Sequence, residues 1–319
     1  MRQDFFQHPV SHCSFRGVRA SFATFRMHAM IIIVPLASAS LYAFGSLFLK
    51  QGLQNGAGAV RSLFLGNFIM TLCFLPTLAL SQEVPDWDMV CWPVIIGICF
   101  FCGQAFTVWA IKSGDVSVQT PLMGTKVVFV AAWTMFLSPD PIRPILWVSA
   151  GLTAIAVFLL GQSNEINYRS VRKAIILSLI SCVFFGATDS LVAARSELFG
   201  RIPTMIGMML TLSVCSLFLM PFVQKPIFEF SPGAAGAMCM GSLFIGLQAL
   251  ILNFGLSYLG EATTINVIYS SRGLFGILLV WFLGKQFSNR EREHAGDRIM
   301  RFRLTGASLM MLAIALIFV

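Results

Sequence analysis

Charge is scarce in this chain: Asp, Glu, Lys and Arg together make up 11% of 319 residues. A soluble domain carries roughly a quarter, so an ordinary water-soluble fold is excluded. Catalytic signatures are absent too. No H-E-x-x-H, G-x-S-x-G or phosphate-cradling P-loop pattern occurs. Three of the four histidines precede residue 29, and the fourth, His294, lies in a link between apolar runs. Metal-dependent hydrolysis therefore has no ligand set, and no catalytic residue, metal site or cofactor is assigned. The eight cysteines form no disulfide framework, because most (Cys73, Cys99, Cys182, Cys215, Cys239) lie inside apolar runs and read as small buried hydrophobes. Cys99 and Cys102 have the C-x-x-C spacing of redox sites, but no second pair accompanies them and the intervening phenylalanines read as packing.

What the chain has instead is apolar length. Mean hydropathy is +0.80 and 57% of residues are hydrophobic. Runs of about twenty apolar residues, enough to span a bilayer, recur at 31–50, 61–81, 89–111, 117–137, 142–161, 173–193, 203–223, 234–256, 262–283 and 302–319. The reading is an all-α, multi-pass integral membrane protein with ten transmembrane helices and the lipid bilayer as its solvent. The net charge of +8 then belongs to residues flanking the spans, and nucleic acid is not an expected partner. Residues 1–30 are richer in arginine and lack the apolar core and cleavage site of a signal peptide. They are expected to be a disordered or spurious extension.

The ten runs repeat internally. Phe44-Gly45 matches Phe185-Gly186, and Ser40 matches Ser181. Arg61 and Thr71-Leu72 match Arg201 and Thr211-Leu212. Gly97, Phe100 and Gln104-Ala105 match Gly241, Phe244 and Gln248-Ala249, and Ala154-Ile155-Ala156 matches Ala313-Ile314-Ala315. Gly114-Asp115 followed by Lys126 matches Gly260-Glu261 followed by Arg272, each cation eleven residues past its acid. Two halves, 31–163 and 171–319, follow. Because five is odd, the second half must enter the membrane with opposite polarity, an inverted repeat around a central cavity. Gly45, Gly66, Gly151, Gly186, Gly273 and Gly276 are expected where helix backbones approach closely.

This pattern resembles the drug/metabolite transporter superfamily, in particular its ten-helix EamA-type members. The resemblance rests on the fourth and ninth runs with their links Gly114-Asp115-Val116-Ser117 and Gly260-Glu261-Ala262-Thr263. It implies a bundle with a central cavity that works by alternating access. The family's usual orientation places both ends in the cytoplasm, whereas the Lys and Arg residues fall mainly on the other side, so orientation stays open.

Lys126 and Arg272 are the candidate functional residues. Each sits mid-run, away from the expected helix ends, where a cation costs about 2.5–3.5 kcal/mol on insertion scales. Guanidinium binds carboxylate or phosphate bidentately, and lysine acts as a point charge. Tyr269 lies one turn before Arg272, and Gln119 and Met123 share a stripe with Lys126. Gln104 and Gln248 add hydrogen-bonding amides. Asp189 is the acid placed well within a run; it is either a counter-ion to one cation or a proton-coupling carboxylate. The acids Asp115 and Glu261 read as helix-start signals.

The expected function is a secondary transporter of a small polar or anionic metabolite, with coupling protons or ions as further partners, in a bacterial inner membrane. Oligomeric state is not readable. Two alternatives stand beside it: an exporter of cationic or lipophilic compounds that uses Asp189, and a membrane-embedded enzyme or scaffold with a closed core.

Overall fold

The computed structural model describes residues 14–113, 123–138, 143–160, 168–223, 226, 229–231, 233–283 and 297–317. Among them every regular element is a helix. A backbone in hydrocarbon has no water to bond, so it must satisfy its polar groups within its own segment.

The helices are α1 (Ser14–Gln54), α2 (Ala59–Phe74), α3 (Cys91–Ser113), α4 (Lys126–Leu137), α5 (Pro144–Leu160), α6 (Tyr168–Phe199), α7 (Arg201–Ser216), α8 (Ala234–Leu259), α9 (Ala262–Tyr269), α10 (Arg272–Leu283) and α11 (Asp297–Leu316). Single-turn or double-turn 3-10 segments extend α2 at Leu75–Leu80 and α7 at Leu217–Phe222, and precede α4 at Met123–Thr125. Six spans among the described residues are long and apolar enough to cross a membrane: Ala29–Gln54, Ala59–Leu80, Trp87–Ala110, Ile175–Phe199, Arg201–Phe222 and Ala234–Leu259. Lys126–Leu137, Pro144–Leu159 and Thr305–Leu316 are shorter apolar helices. α1 begins at Ser14, inside the segment expected to be a disordered extension, and runs on into the first span.

Helices pair across the two halves of the chain. α1 packs on α8 and α3 on α6; α2 packs on α8 and α3 on α7; α4 packs on α6 and α1 on α10; α5 packs on α11 and α2 on α7. Exchanging the halves carries each of these pairings onto another or onto itself. Residues matched in sequence make matched contacts: Phe44 stacks on Phe244 with centroids 6.0 Å apart, and Phe185 meets Phe100 at 5.6 Å. α2 and α7 both start after a glycine of positive φ, Gly58 at 78° and Gly200 at 104°, a conformation that side chains strain to adopt.

The close approaches are partly where the glycines predict them. A Cβ on Gly45 would stand 2.9 Å from Ile245 of α8, and one on Gly186 3.0 Å from Phe129 of α4. Gly151 and Gly276 are different, with nothing among the described residues within 4 Å of such a Cβ.

α8 has 26 residues and is about 39 Å long, so its two ends mark opposite ends of the bundle. At its N-terminal end, Arg61 is 4% exposed and binds carbonyls from two segments. Its Nε donates to Ala57 O (2.7 Å), Nη1 to Pro226 O (3.0 Å) and Glu229 O (2.5 Å), and Nη2 to Gly56 O (3.2 Å). The Phe230 ring centroid lies 4.0 Å from the guanidinium carbon. At the C-terminal end, Arg201 pairs with Glu197 at 3.1 Å and faces Tyr258, beside a cleft of about 370 Å³ lined by Glu83, Asp86, Glu197 and Arg201. Glu83 Oε2 accepts from the Ile202 backbone N–H at 3.0 Å, a carboxylate against the start of α7. Near one end of α8 Arg61 ties backbone segments together, and near the other a surface cleft lies between the α6–α7 corner and Glu83 and Asp86.

Candidate functional site

The ninth apolar run is not one helix. α9 ends at Tyr269 and α10 starts at Arg272, with Ser270 and Ser271 in a turn between them. Backbone bonds there shorten to the i→i+3 kind, from Ser271 N–H to Ile268 O (3.0 Å) and from Gly273 N–H to Ser270 O (3.2 Å). The polar residues of the run compete for the same carbonyls. Ser270 Oγ donates to Asn266 O at 2.8 Å and Asn266 Nδ2 to Ala262 O at 3.0 Å. Lys126 likewise opens α4, directly after the 3-10 turn Met123–Thr125. The expectation that both cations lie away from helix ends is thus corrected: each stands at the first residue of a helix. A break inside a span adds the positive end of a helix dipole to the charge of the side chain.

The two cations meet in one cluster. Lys126 is 8% exposed and Asp189, on α6, is 6% exposed; Lys126 Nζ lies 2.5 Å from Asp189 Oδ2. Arg272 donates from Nη1 to Tyr269 Oη at 3.1 Å. Its guanidinium carbon is 4.6 Å from the Tyr42 ring centroid and 4.7 Å from that of Tyr269, and Lys126 Nζ is 5.7 Å from the Tyr269 centroid. Both charges thus face the Tyr269 ring and are at most about 10 Å apart, within strong Coulomb range in a low-dielectric interior. Phe185 faces Lys126 at 5.9 Å, and Tyr42 meets Tyr269 edge-on at 6.2 Å. Among the described residues Arg272 has no carboxylate partner. Aromatic faces attract cations through the ring quadrupole, so the guanidinium is held and oriented while its charge is not neutralised.

The other expected residues separate. Gln248 joins helices: its Nε2 donates to Ser38 Oγ at 3.1 Å, and Ser38 Oγ donates to Gln248 O at 3.0 Å, tying α8 to α1. Gln104 on α3 keeps a buried Oε1 with no hydrogen-bond partner among the described residues. Gln119 and Asp115 lie outside the described residues. Glu261 sits immediately before α9 and accepts from Thr264 Oγ1 at 3.1 Å, as a helix-start acid does.

Sequence reasoning missed Tyr42 and Phe185 as parts of the cluster. Tyr42 carried a usable signal, being one of four tyrosines in the chain and placed mid-run. Phe185 carried none, because thirty phenylalanines look alike in an apolar sequence.

Residues 29–162 match the model of the EamA-like transporter family. No curated protein matches the chain. A solved crystal structure shares the fold, with TM-score 0.68 over 90% of this chain and 96% of that one, at 13% sequence identity. That likeness is one of fold alone.

Proposed function

We propose, from the match of residues 29–162 to the EamA-like transporter family, an alternating-access transporter of a small anionic metabolite, built from ten spans as two inverted halves of five. The family match and the apolar helices support a multi-pass membrane transporter of the drug/metabolite kind. The half-exchange of helix pairings supports the 5+5 arrangement. A bacterial inner membrane is the proposed location.

One observation carries the substrate reading. Two cations from equivalent runs converge on one aromatic-lined cluster that, among the described residues, holds a single acid, and each stands at a helix start. Arg272 is the primary contact, since its charge has no carboxylate partner among the described residues and its fork suits carboxylate or phosphate. Lys126 and Tyr269 flank it, and Gln104 offers an unpaired buried oxygen. The cation-exporter reading is weaker here, because Asp189, its recognition group, is already held by Lys126.

The test is transport by the full chain in proteoliposomes across a panel of organic anions and organic cations. Arg272→Gln should abolish uptake of the anions while the protein stays folded. Undiminished anion transport by that variant, or a preference for cations in the wild type, overturns the proposal.

A further inference from the structure

Asp189 matters for more than the folding of its neighbour. We propose that it sets the valence of the substrate: by neutralising Lys126 it leaves the cluster one net positive charge, and this selects a monoanion over a dianion. The inference rests on the anion-transport reading above and deepens it.

The argument is one of charge balance. Among the described residues Lys126 and Arg272 bring two positive charges and Asp189 one negative, and no other charged side chain faces them. A net charge enclosed in a poorly solvated site is costly unless it is matched. A monoanion seated on Arg272 makes the enclosed set neutral and leaves the 2.5 Å Lys126–Asp189 pair intact. A dianion leaves one uncompensated negative charge. It can bond to Lys126 only by displacing Asp189, which then stands unpaired at 6% exposure. The same geometry divides the cations by task. Arg272, held by phenol and ring faces, is free to take the ligand. Lys126, held by a carboxylate, supports Asp189 and tunes the field.

The prediction has a definite sign. Removing the charge of Asp189 raises the cluster to two net positive charges, which suits a dianion. Removing Lys126 and Asp189 together returns it to one. At an effective dielectric near 20, a unit charge about 10 Å away changes an ion's binding by roughly tenfold or more.

The experiment uses the purified full chain in detergent micelles and two probes of equal carbon count, butyrate and succinate, with binding read by calorimetry at neutral pH. The wild type should prefer butyrate. Asp189→Asn should move the butyrate-to-succinate ratio toward succinate by about tenfold or more. Lys126→Gln/Asp189→Asn should restore the wild-type preference, and Arg272→Gln should bind neither probe. If anion binding depends on Arg272 but Asp189→Asn keeps the butyrate preference, the valence role is overturned and the transport reading stands. If the wild type binds neither probe nor any other organic anion, both fall. Should Asp189→Asn fail to fold, the double variant decides: a succinate preference there overturns the inference, and a butyrate preference is the expected result.

Discussion

A buried lysine with a carboxylate at 2.5 Å is stable only as a pair. Lys126→Gln strands Asp189 as an uncompensated buried charge, and loss of one partner from such a pair costs about 3–5 kcal/mol. The apparent unfolding midpoint in detergent should therefore drop sharply for Lys126→Gln and recover in the double variant with Asp189→Asn. A midpoint equally low in both would show that the lysine stem, and not the charge balance, is what matters. Arg272 is held more gently. Tyr269→Phe keeps the ring and removes the hydroxyl that accepts from Nη1, a hydrogen bond to a charged group worth about 1.5–3 kcal/mol. The expected result is at least about a tenfold rise in the transport KM for a monoanion with the fold intact; an unchanged KM would mean the two rings alone orient the guanidinium.

The elements carry their own signs. Gly45 and Gly276 lie in comparable apolar helices, but their surroundings differ. A methyl on Gly45 meets Ile245 at 2.9 Å and forces α1 away from α8, whereas one on Gly276 meets nothing within 4 Å among the described residues. Gly45→Ala should thus destabilise. Gly276→Ala should gain up to about 1 kcal/mol of helix propensity. Thermal unfolding of the two variants side by side checks both. Arg61 ties the end of α1, the start of α2 and the 226–230 segment through four carbonyls. Arg61→Ala leaves those acceptors without their donor, at about 1–3 kcal/mol for each that stays buried and unpaired. Arg61→Lys recovers only part of the loss, because an ammonium cannot reproduce a five-donor planar fork. Gln248 teaches a related lesson. Its match to Gln104 across the repeat was legible in sequence, yet one amide is spent on Ser38 and the other keeps an unpaired oxygen. Equivalent positions in a repeat need not share a task once the two halves meet different neighbours.

At the scale of the molecule, the two ends of the bundle differ. Ala57, beside Arg61, is fully buried, while at the opposite end of α8 a cleft of about 370 Å³ is lined in part by Leu198, itself 41% exposed. In a background without native cysteines, Leu198→Cys should react with a water-soluble maleimide and Ala57→Cys should not. Under alternating access a transported anion redistributes the two, protecting position 198 and exposing position 57. Labelling that ignores substrate would mean a static bundle.

The sequence alone determined the solvent of this protein, its helical class and the residues that break its apolar rule. Those properties are local and additive: hydropathy sums along a run, backbone bonding closes within a helix, and a mid-run cation is costly wherever its neighbours are. The tertiary structure decided what could not be local. It assigned Asp189 to Lys126 and left Arg272 to two tyrosines, because an ion pair is chosen by distances between helices that no periodicity encodes. It also turned the polar stretch Asn266–Ser271 into a break, since Ser270 and Asn266 bond their own backbone and the helix must restart at Arg272. The cations were visible from composition; their division into one paired with a carboxylate and one without such a partner among the described residues required the fold.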